Sequence, residues 1–401
     1  MPSFVAWVDY SSAERQRMRQ AVALFEEKDT RDELGIGSIR DAFADELFPG
    51  TSIIQTRLRY VLFVPWVYAR LEEDSRVNAA TVEQRARADE LRLVKSLLGT
   101  TDTLGVIGKR SGNALQRTPG SIYWLAMQRW GVFRHRWTID EYHRRWDRVR
   151  SARQGQLRTD DRGVGPDPVL TWHAELPGAP ADLFDGAGFE LRREEAEFIR
   201  ERIADTCRES LLAYAATAHR RPGLAAAEPW LEFEALPEGL AQTLALARRF
   251  ALLVQGAALA YNLALARQLP DPGEVMARLE GELAVWARDA EALAVARSEL
   301  DDLWRFCARH ANVSPRTRAF IEAWRGLLAA EGYLSGASSE RAARLVEERE
   351  RMLKGSRSRF ANPRALELWG GKSGTALLTY RWGTVKQLLG DLYRGLEREG
   401  H

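Results

Sequence analysis

Carboxylates crowd the segment from residue 26 to residue 45, and clustered carboxylates are groups with which nucleases hold a catalytic metal ion. Glu26 and Lys28 have the spacing of a carboxylate–lysine pair, and Arg57 or Arg59 would face the phosphate of a nucleic acid. Nuclease cores of this type place such residues on strands, whereas this segment ends a predicted helix. Charge runs of this kind are usually solvated or ion-paired, so a metal-dependent nuclease or hydrolase is an alternative and not the first interpretation.

Two other patterns resemble reactive motifs without completing them. Asp140, His143 and Asp147 would share one helical face, but carboxylate–histidine metal sites draw on more than one helix, and the sequence has no second such motif. The GGKSG sequence at 370–374 lacks the first glycine of a phosphate-binding loop, since Leu366 holds that position. We therefore expect no metal ion and no cofactor, and the sequence identifies no catalytic residue.

The clearest sign of a binding partner is the charge between residues 101 and 158, which we call the basic block. It holds 12 basic and 4 acidic residues, whereas the whole chain has a net charge of only +2. Residues 159–353 are acidic, with 23 basic and 32 acidic side chains. The chain has 52 arginines and 6 lysines, which is typical of a GC-rich genome, but such drift would not separate charges by segment. Segregated positive charge indicates nucleic-acid binding.

Within the basic block, arginines are interleaved with aromatic residues, among them four of the 13 tryptophans of the chain. Two interpretations are open: the aromatic residues form a core that arginine stems cover, or the arginines form an exposed face that meets phosphates. In the second interpretation, the phosphate-binding candidates are Arg129, Arg134, Arg136, Arg144, Arg145 and Arg148. The candidates to line a groove of the same surface are Ser121, Tyr123 and Gln128.

Helix signals divide the basic block into short elements. Residues 103–113 are compatible with a short helix and a glycine-rich turn, and the Pro-Gly-Ser sequence at 119–121 begins a second helix. Thr138 and Glu141 form a capping box for a third helix. This order is compatible with a helix-turn-helix at 103–153, although such spacing is common in helical proteins.

The remaining patterns predict a mainly α-helical, multi-helix protein of two parts, with at most a few short strands. Residues 1–153 would form a helical part that contains the basic block, followed by a Gly/Pro-rich linker at 154–189. An acidic helical bundle at 190–353 and a basic tail with a final helix at 354–401 would complete the chain. Residues 241–267 are apolar on nearly all sides, which predicts the central helix of that bundle.

The sequence has no pattern typical of export or membrane insertion. No signal-peptide pattern begins the chain, and its longest apolar stretches are too short or too polar to span a bilayer. Cys207 and Cys307 fall within helical patterns, as buried thiols of a reducing compartment do. We expect a cytoplasmic protein without a membrane partner.

Four stretches carry a family resemblance: FEEKDTRDELGIGSIRDAFADELFPGTSIIQTRLRYVLFVPWVY at 25–68, SIYWLAMQRWG at 121–131, GAALAYNLALA at 256–266 and YRW at 380–382. Together they resemble a bacterial family known only as a domain of unknown function, numbered six-three-six-one, over nearly the full chain. The family has no established activity, so the resemblance marks positions without assigning roles to them. These positions are Glu26, Asp29, Arg31, Asp32, Arg40, Asp41, Pro49, Gly50, Gln55, Arg57 and Arg59. The resemblance also implies accessory genes of mobile-element or anti-phage loci, where helicases and nucleases are frequent neighbours.

These observations favour a non-catalytic bacterial protein that associates with DNA or forms a complex, accessory to a mobile element or to anti-phage defence. The expected partners are DNA at the basic block and a protein such as a helicase or nuclease from the same locus. Two alternatives stay open. One is a metal-dependent nuclease or hydrolase that uses the carboxylates of residues 26–45, and the other is a purely structural scaffold whose basic segments pair with its own acidic middle.

Overall fold

The computed structural model describes residues 32–109, 115–158, 170–218, 223–233, 235–296 and 300–398. Within these ranges the chain forms 16 α-helices and no strand, which confirms the predicted mainly α-helical fold. A single antiparallel bridge in the described residues pairs Phe133 with Trp172. The helices are α1 (Gly37–Leu47), α2 (Tyr60–Glu73), α3 (Val82–Leu98), α4 (Pro119–Arg129), α5 (Ile139–Arg144), α6 (Trp146–Arg158), α7 (Arg193–Thr206), α8 (Leu211–Thr217), α9 (Glu238–Ala266), α10 (Gly273–Ala292), α11 (Asp301–His310), α12 (Pro315–Glu331), α13 (Tyr333–Ser338), α14 (Glu340–Lys354), α15 (Pro363–Glu367) and α16 (Trp382–Leu396).

The helices belong to two compact units, and each unit is assembled from separate parts of the chain. The first unit contains the described residues up to 46 together with those of 227–383. The second contains the described residues of 47–226 together with those from 384 onwards. This division differs from the predicted boundaries, which followed chain order. The difference arises because contacts between distant segments, which a pass along the sequence does not reveal, define each unit.

The first unit is built around α9, whose side chains are buried along most of its length. Helices α10, α12, α13 and α14 pack against it. The indole of Trp286 on α10 donates a hydrogen bond to the carbonyl of Leu252 at 2.7 Å, and Trp324 on α12 donates to the carbonyl of Leu253 at 2.8 Å. Helix α9 is long and apolar enough to cross a membrane. However, 89% of its most apolar stretch of 18 residues is buried inside the protein. It has the character of the central helix of a bundle.

The second unit has an aromatic core at which α2, α3 and α4 meet. The rings of Tyr60 and Phe63 on α2 lie 5.3 Å and 6.3 Å from the ring of Phe189. Helix α16 closes the unit from the far end of the chain, because the carboxylate of Asp391 accepts a hydrogen bond from the backbone N–H of Leu58 at 2.9 Å. Residues that are more than three hundred positions apart therefore share one core.

The described part of the predicted linker belongs to this second unit. Trp172, Leu183 and Phe189 are all buried, and burial of apolar side chains of this size stabilises a fold by about 1.5–3 kcal/mol each. These three side chains pack the described part of the segment into the second unit. The predicted basic tail is also divided, with residues 354–383 in the first unit and the described residues beyond 383 in the second.

The approach of α10 to α9 depends on a glycine. A β-carbon at Gly256 would lie 2.0 Å from the ring of Trp286, a distance that no relaxed packing permits. We expect Gly256→Ala to lower the free energy of unfolding by about 1–3 kcal/mol. In this variant Trp286 must move, which strains its hydrogen bond to the carbonyl of Leu252 on α9. Urea denaturation followed by far-ultraviolet circular dichroism measures this change.

The matched control is Gly281→Ala on α10, where a β-carbon would meet nothing within 4 Å. This substitution should leave the protein unchanged or stabilise it by up to about 1 kcal/mol, because alanine favours the helix over glycine. Equal effects of the two substitutions would contradict the close approach of Trp286 to Gly256.

Candidate nucleic-acid interface

Helix α4 supports the basic block, and two acceptors fix its first turn. The Thr118 hydroxyl accepts a hydrogen bond from the backbone N–H of Ser121 at 3.4 Å, and the Glu90 carboxylate accepts one from Gly120 at 2.8 Å. Pro119 occupies the first helical position, where an N–H would have no partner within the helix. Burial raises the pKa of Glu90 to about 7, although the Gly120 N–H acts in the opposite direction.

The aromatic residues of the basic block form a core beneath its surface. Tyr123, Trp130, Tyr142 and Trp146 are fully buried. The rings of Tyr142 and Trp146 lie 5.3 Å apart in an edge-to-face arrangement, which is a favourable geometry for aromatic pairs. The interpretation of the aromatic residues as core is therefore correct for these four. The core leaves the neighbouring arginines at the surface.

Tyr123 is unavailable to a nucleic-acid groove, and the structure corrects this assignment. Its hydroxyl accepts hydrogen bonds from the backbone N–H groups of Thr56 at 2.8 Å and Arg57 at 3.0 Å. The tyrosine thus holds the segment that precedes α2. Burial also raises the pKa of the Tyr123 hydroxyl, although the hydrogen bonds that it accepts from this segment act in the opposite direction. The spacing of residues on α4 could not show this, since it does not reveal which helix face meets the core.

The predicted helix-turn-helix differs from the structure in its first element. Residues 103–109 form turns and not a helix, while residues 110–114 lie outside the described residues. Nine residues separate α4 from α5, and Phe133 in this connection pairs with Trp172. The predicted capping box is confirmed, with Thr138 and Glu141 bonded reciprocally at the start of α5.

Five of the six candidate arginines have exposed side chains, and no carboxylate of the described residues forms an ion pair with any of them. We call this set the arginine surface: Arg129, Arg134, Arg136, Arg144 and Arg148. Arg145, the sixth candidate, is half-buried, with its guanidinium 5.0 Å from the ring centre of Trp137 and 3.9 Å from Glu141. Of the other candidates, Ser121 donates to the carbonyl of Thr118 at 2.8 Å, and Gln128 donates to the carbonyl of Trp137.

Exposed arginines elsewhere in the protein commonly have a partner. Arg76 pairs with Asp74 at 2.9 Å, and Arg193 pairs with Glu197 at 3.0 Å. Such pairs add little stability at a surface, but they neutralise the local charge. The arginine surface therefore carries a positive charge that the described part of the protein does not compensate within ion-pairing distance.

Two members of the arginine surface line a groove of about 460 Å³, which we call the arginine groove. Its polar lining side chains are Gln128, Arg134, His135, Arg136 and His173, and its other lining residues are Gly131, Phe133 and Ala174. Its walls are held by two backbone hydrogen bonds beside the single bridge, one from Arg134 to Thr171 at 3.0 Å and one from His173 to Val132 at 2.9 Å. No carboxylate lines the groove among the described residues.

Both histidines of the arginine groove favour the neutral form. Burial lowers the pKa of His135, and the charge of Arg134 lowers it further. Burial also lowers the pKa of His173, which faces the cations Arg202 and Arg134 as well as the acids Glu175 and Asp205. An anion in the groove would act in the opposite direction, because it favours the protonated imidazole.

The family-resemblance positions of the first unit hold a helix start. The carboxylate of Asp32 accepts hydrogen bonds from the backbone N–H groups of Ile36 at 2.6 Å and Gly37 at 2.8 Å, at the beginning of α1. On α1 itself, Arg40 pairs with its neighbour Asp41 at 3.0 Å. Glu26, Asp29 and Arg31 lie outside the described residues. No group of three metal-binding side chains is found in the described part of the chain.

The family-resemblance positions of the second unit hold turns and buried ion pairs. Gln55 donates to the carbonyl of Gly50 at 3.0 Å, and Pro49 accepts a hydrogen bond from the Trp130 indole at 2.9 Å. The guanidinium of Arg57 pairs with Asp391 at 3.0 Å and with Asp102 at 2.6 Å. Arg59 pairs with Glu195 at 2.8 Å. Both arginines are buried, so neither is free to meet the phosphate of a nuclease substrate.

The first unit contains a buried charge network that no sequence pattern had predicted. Glu33 accepts from Lys354 and from Arg359, the latter at 2.9 Å, while Tyr261 donates to Glu350 at 2.7 Å. Burial would raise the pKa of Glu350, but hydrogen bonds from Lys354, from a buried serine and from Tyr261 hold it below its usual value. The four charged groups compensate each other. The spacing of Glu350 and Lys354 was the only available signal, and it is common on any helix.

The chain belongs to the family of unknown function (DUF6361), which it matches over residues 2–395. This match confirms the family resemblance and its extent. No curated protein and no solved structure matches the chain. The geometry described above is therefore the basis for any functional proposal.

The buried carboxylate of Glu90, which bonds to the first turn of α4, makes the stability of the protein depend on pH. Its folded pKa of about 7 lies above its ordinary value of 4.5, so the folded state retains a proton that the unfolded state loses. The resulting stability is fully present below pH 4.5, is lost as the pH rises through 7, and amounts to about 3 kcal/mol. We expect the unfolding free energy of the wild type, relative to Glu90→Gln, to fall over this range and then to level off.

Chemical denaturation at a series of pH values measures the difference. Glutamine keeps an acceptor for the Gly120 N–H and has no charge, so the substitution isolates the titration of Glu90. Glu83→Gln on the exposed side of α3 serves as the control and should follow the wild type. Parallel curves for the wild type and Glu90→Gln would contradict a raised pKa at this site.

Proposed function

We propose that this protein binds DNA through the arginine surface, as a non-catalytic DNA-associated protein. The observation that carries the proposal is the exposure of five arginines without an ion-pair partner among the described residues. Guanidinium groups pair with phosphate oxygens in a bidentate geometry. Each phosphate that they neutralise releases counterions from the DNA, which makes such binding favourable at low salt.

The side chains around the arginine surface favour contact with the phosphate backbone over the reading of base edges. Tyr123 is buried, and the amide of Gln128 already donates to a backbone carbonyl. The hydroxyl of Ser121 likewise has a partner within its own helix turn. Since base readout needs free donors and acceptors that reach a groove, we expect little dependence of affinity on DNA sequence.

The scaffold alternative, in which basic segments pair with the acidic middle, describes the tail better than the basic block. Lys354 pairs with Glu350 at 2.8 Å, and Arg398 pairs with Glu190 at 2.6 Å. These basic side chains of the tail find acids within their own unit. The arginine surface has no comparable pairing among the described residues, which supports an external anionic partner for it.

The nuclease alternative has less support from the described residues. Asp32 caps α1, Asp45 pairs with Arg381, and Glu33 belongs to the buried charge network. Because each of these carboxylates is engaged elsewhere, none is left to share a metal ion. A role in phage defence, and a helicase or nuclease as the protein partner, rest on the family resemblance alone and stay proposals.

Salt dependence tests the proposal most sharply. We expect the combined variant Arg129→Ala, Arg144→Ala and Arg148→Ala to weaken binding to duplex DNA and to flatten the plot of log affinity against log salt. Each lost phosphate contact changes the slope by about 0.9, so the slope should fall in magnitude by about 2–3 units. Fluorescence anisotropy with labelled duplexes of different sequence, across a salt series, gives both quantities.

The matched control replaces three exposed arginines of the same unit that do have ion-pair partners: Arg76→Ala, Arg92→Ala and Arg193→Ala. This variant loses the same charge, so a nonspecific effect of net charge would appear in both. The proposal predicts a wild-type slope for the control. Equal slopes for the two triple variants, or no DNA binding by the wild type at low salt, would contradict it.

A further inference from the structure

The arginine groove is rich in hydrogen-bond donors and has few free acceptors. The guanidinium groups of Arg134 and Arg136 donate only. The Nδ1 atom of His173 accepts a hydrogen bond from the backbone N–H of Glu175 at 3.2 Å, so the proton of the neutral ring is on Nε2, which is a donor. The amide of Gln128 is already bonded to Trp137. A ligand that satisfies this groove must carry negative charge and several acceptor oxygens.

The form of the groove separates it from the rest of the arginine surface. Arg144 on α5 and Arg148 on α6 are exposed. On the same two helices, Tyr142 and Trp146 are buried in the core. Exposed helical arginines of this kind suit the phosphate backbone of a nucleic acid that passes along the protein surface. Arg134 and Arg136, in contrast, share a concave groove of about 460 Å³, within the range of small-molecule sites.

The charge of the groove fits a phosphate monoester better than a phosphate diester. A diester in a strand carries one negative charge, whereas a monoester carries about −1.5 to −2 at neutral pH and has three acceptor oxygens. Two guanidiniums and the Nε2 donor of His173 suit a group with several acceptor oxygens and more than one negative charge. Phe133 and Ala174 add an apolar wall, against which the sugar or base of a nucleotide could pack.

We propose that the arginine groove binds the terminal phosphate of a nucleic-acid strand, with Arg134, Arg136 and His173 donating to its oxygens. The proposal rests on the proposed function, since the remaining arginines bring the strand to the groove. The protein would then prefer phosphorylated ends, such as those left by cleavage of DNA, over continuous duplex. Base identity at the end would matter little, because the amide nitrogen of Gln128 already donates to backbone carbonyls.

The test compares oligonucleotides of one sequence and one length, with an internal fluorescent label, that end in either a phosphate or a hydroxyl. At constant salt we expect the phosphate-ended strand to bind the wild type about tenfold more tightly, as charge-assisted bonds to a single group allow. The variant Arg134→Ala with Arg136→Ala should lose this ratio, and His173→Gln should reduce it. The variant Arg144→Ala with Arg148→Ala should bind both strands more weakly and keep the ratio.

The outcomes separate this proposal from the proposed function. Equal binding of the two strands, with a normal salt slope, would overturn the terminal-phosphate site and leave DNA binding intact. Absence of binding to either strand would overturn both. Competition by a mononucleotide or by inorganic phosphate as strong as that of the phosphate-ended strand would also overturn it, because the groove would then be a site for free ligands. Loss of the ratio in Arg144→Ala with Arg148→Ala would place the site elsewhere.

Discussion

The second unit depends on one buried guanidinium, that of Arg57. It pairs with Asp391 of α16 at 3.0 Å, and the same carboxylate accepts the backbone N–H of Leu58 at 2.9 Å. Tyr123 of α4 holds the adjoining backbone through its hydroxyl. Breaking a buried ion pair costs about 3–5 kcal/mol. The contacts of Arg57, Asp391 and Tyr123 therefore fix the start of α2 and the position of α4 relative to each other. The arginine surface is built on that frame.

Two groups of arginines in this protein differ in both burial and pairing. Arg57 and Arg59 are buried against carboxylates, where a planar guanidinium with five donors can satisfy several acceptors at once. The members of the arginine surface are exposed and have no such partner among the described residues. A count of arginines does not separate these two groups, because it records neither burial nor the acids nearby. Charge without compensation is the feature that an anionic ligand recognises.

Local patterns in the sequence predicted local structure well. The capping box of Thr138 and Glu141 and the central helix α9 were predictable, because a cap needs only a few adjacent residues and a buried helix shows its apolar periodicity. The unit boundaries were not predictable, since they depend on contacts such as that of Asp391 with Arg57, which are far apart in the sequence. Of the three residues predicted to line a groove, Gln128 lines the arginine groove, beside two of the phosphate-binding candidates. Arg134 and Arg136 line the arginine groove, but no spacing showed that Tyr123 faces the core or that His173 would join them.

Hydrogen–deuterium exchange of the protein with and without DNA locates the DNA interface on the described residues. If the arginine surface is the DNA interface, amides of residues 128–136 and 171–175, together with those around Arg144 and Arg148, should exchange more slowly in the complex. The described residues of the first unit should exchange at unchanged rates, because the arginine surface belongs to the second unit. DNA binding that leaves these segments unprotected, or that protects only the first unit, would contradict the account.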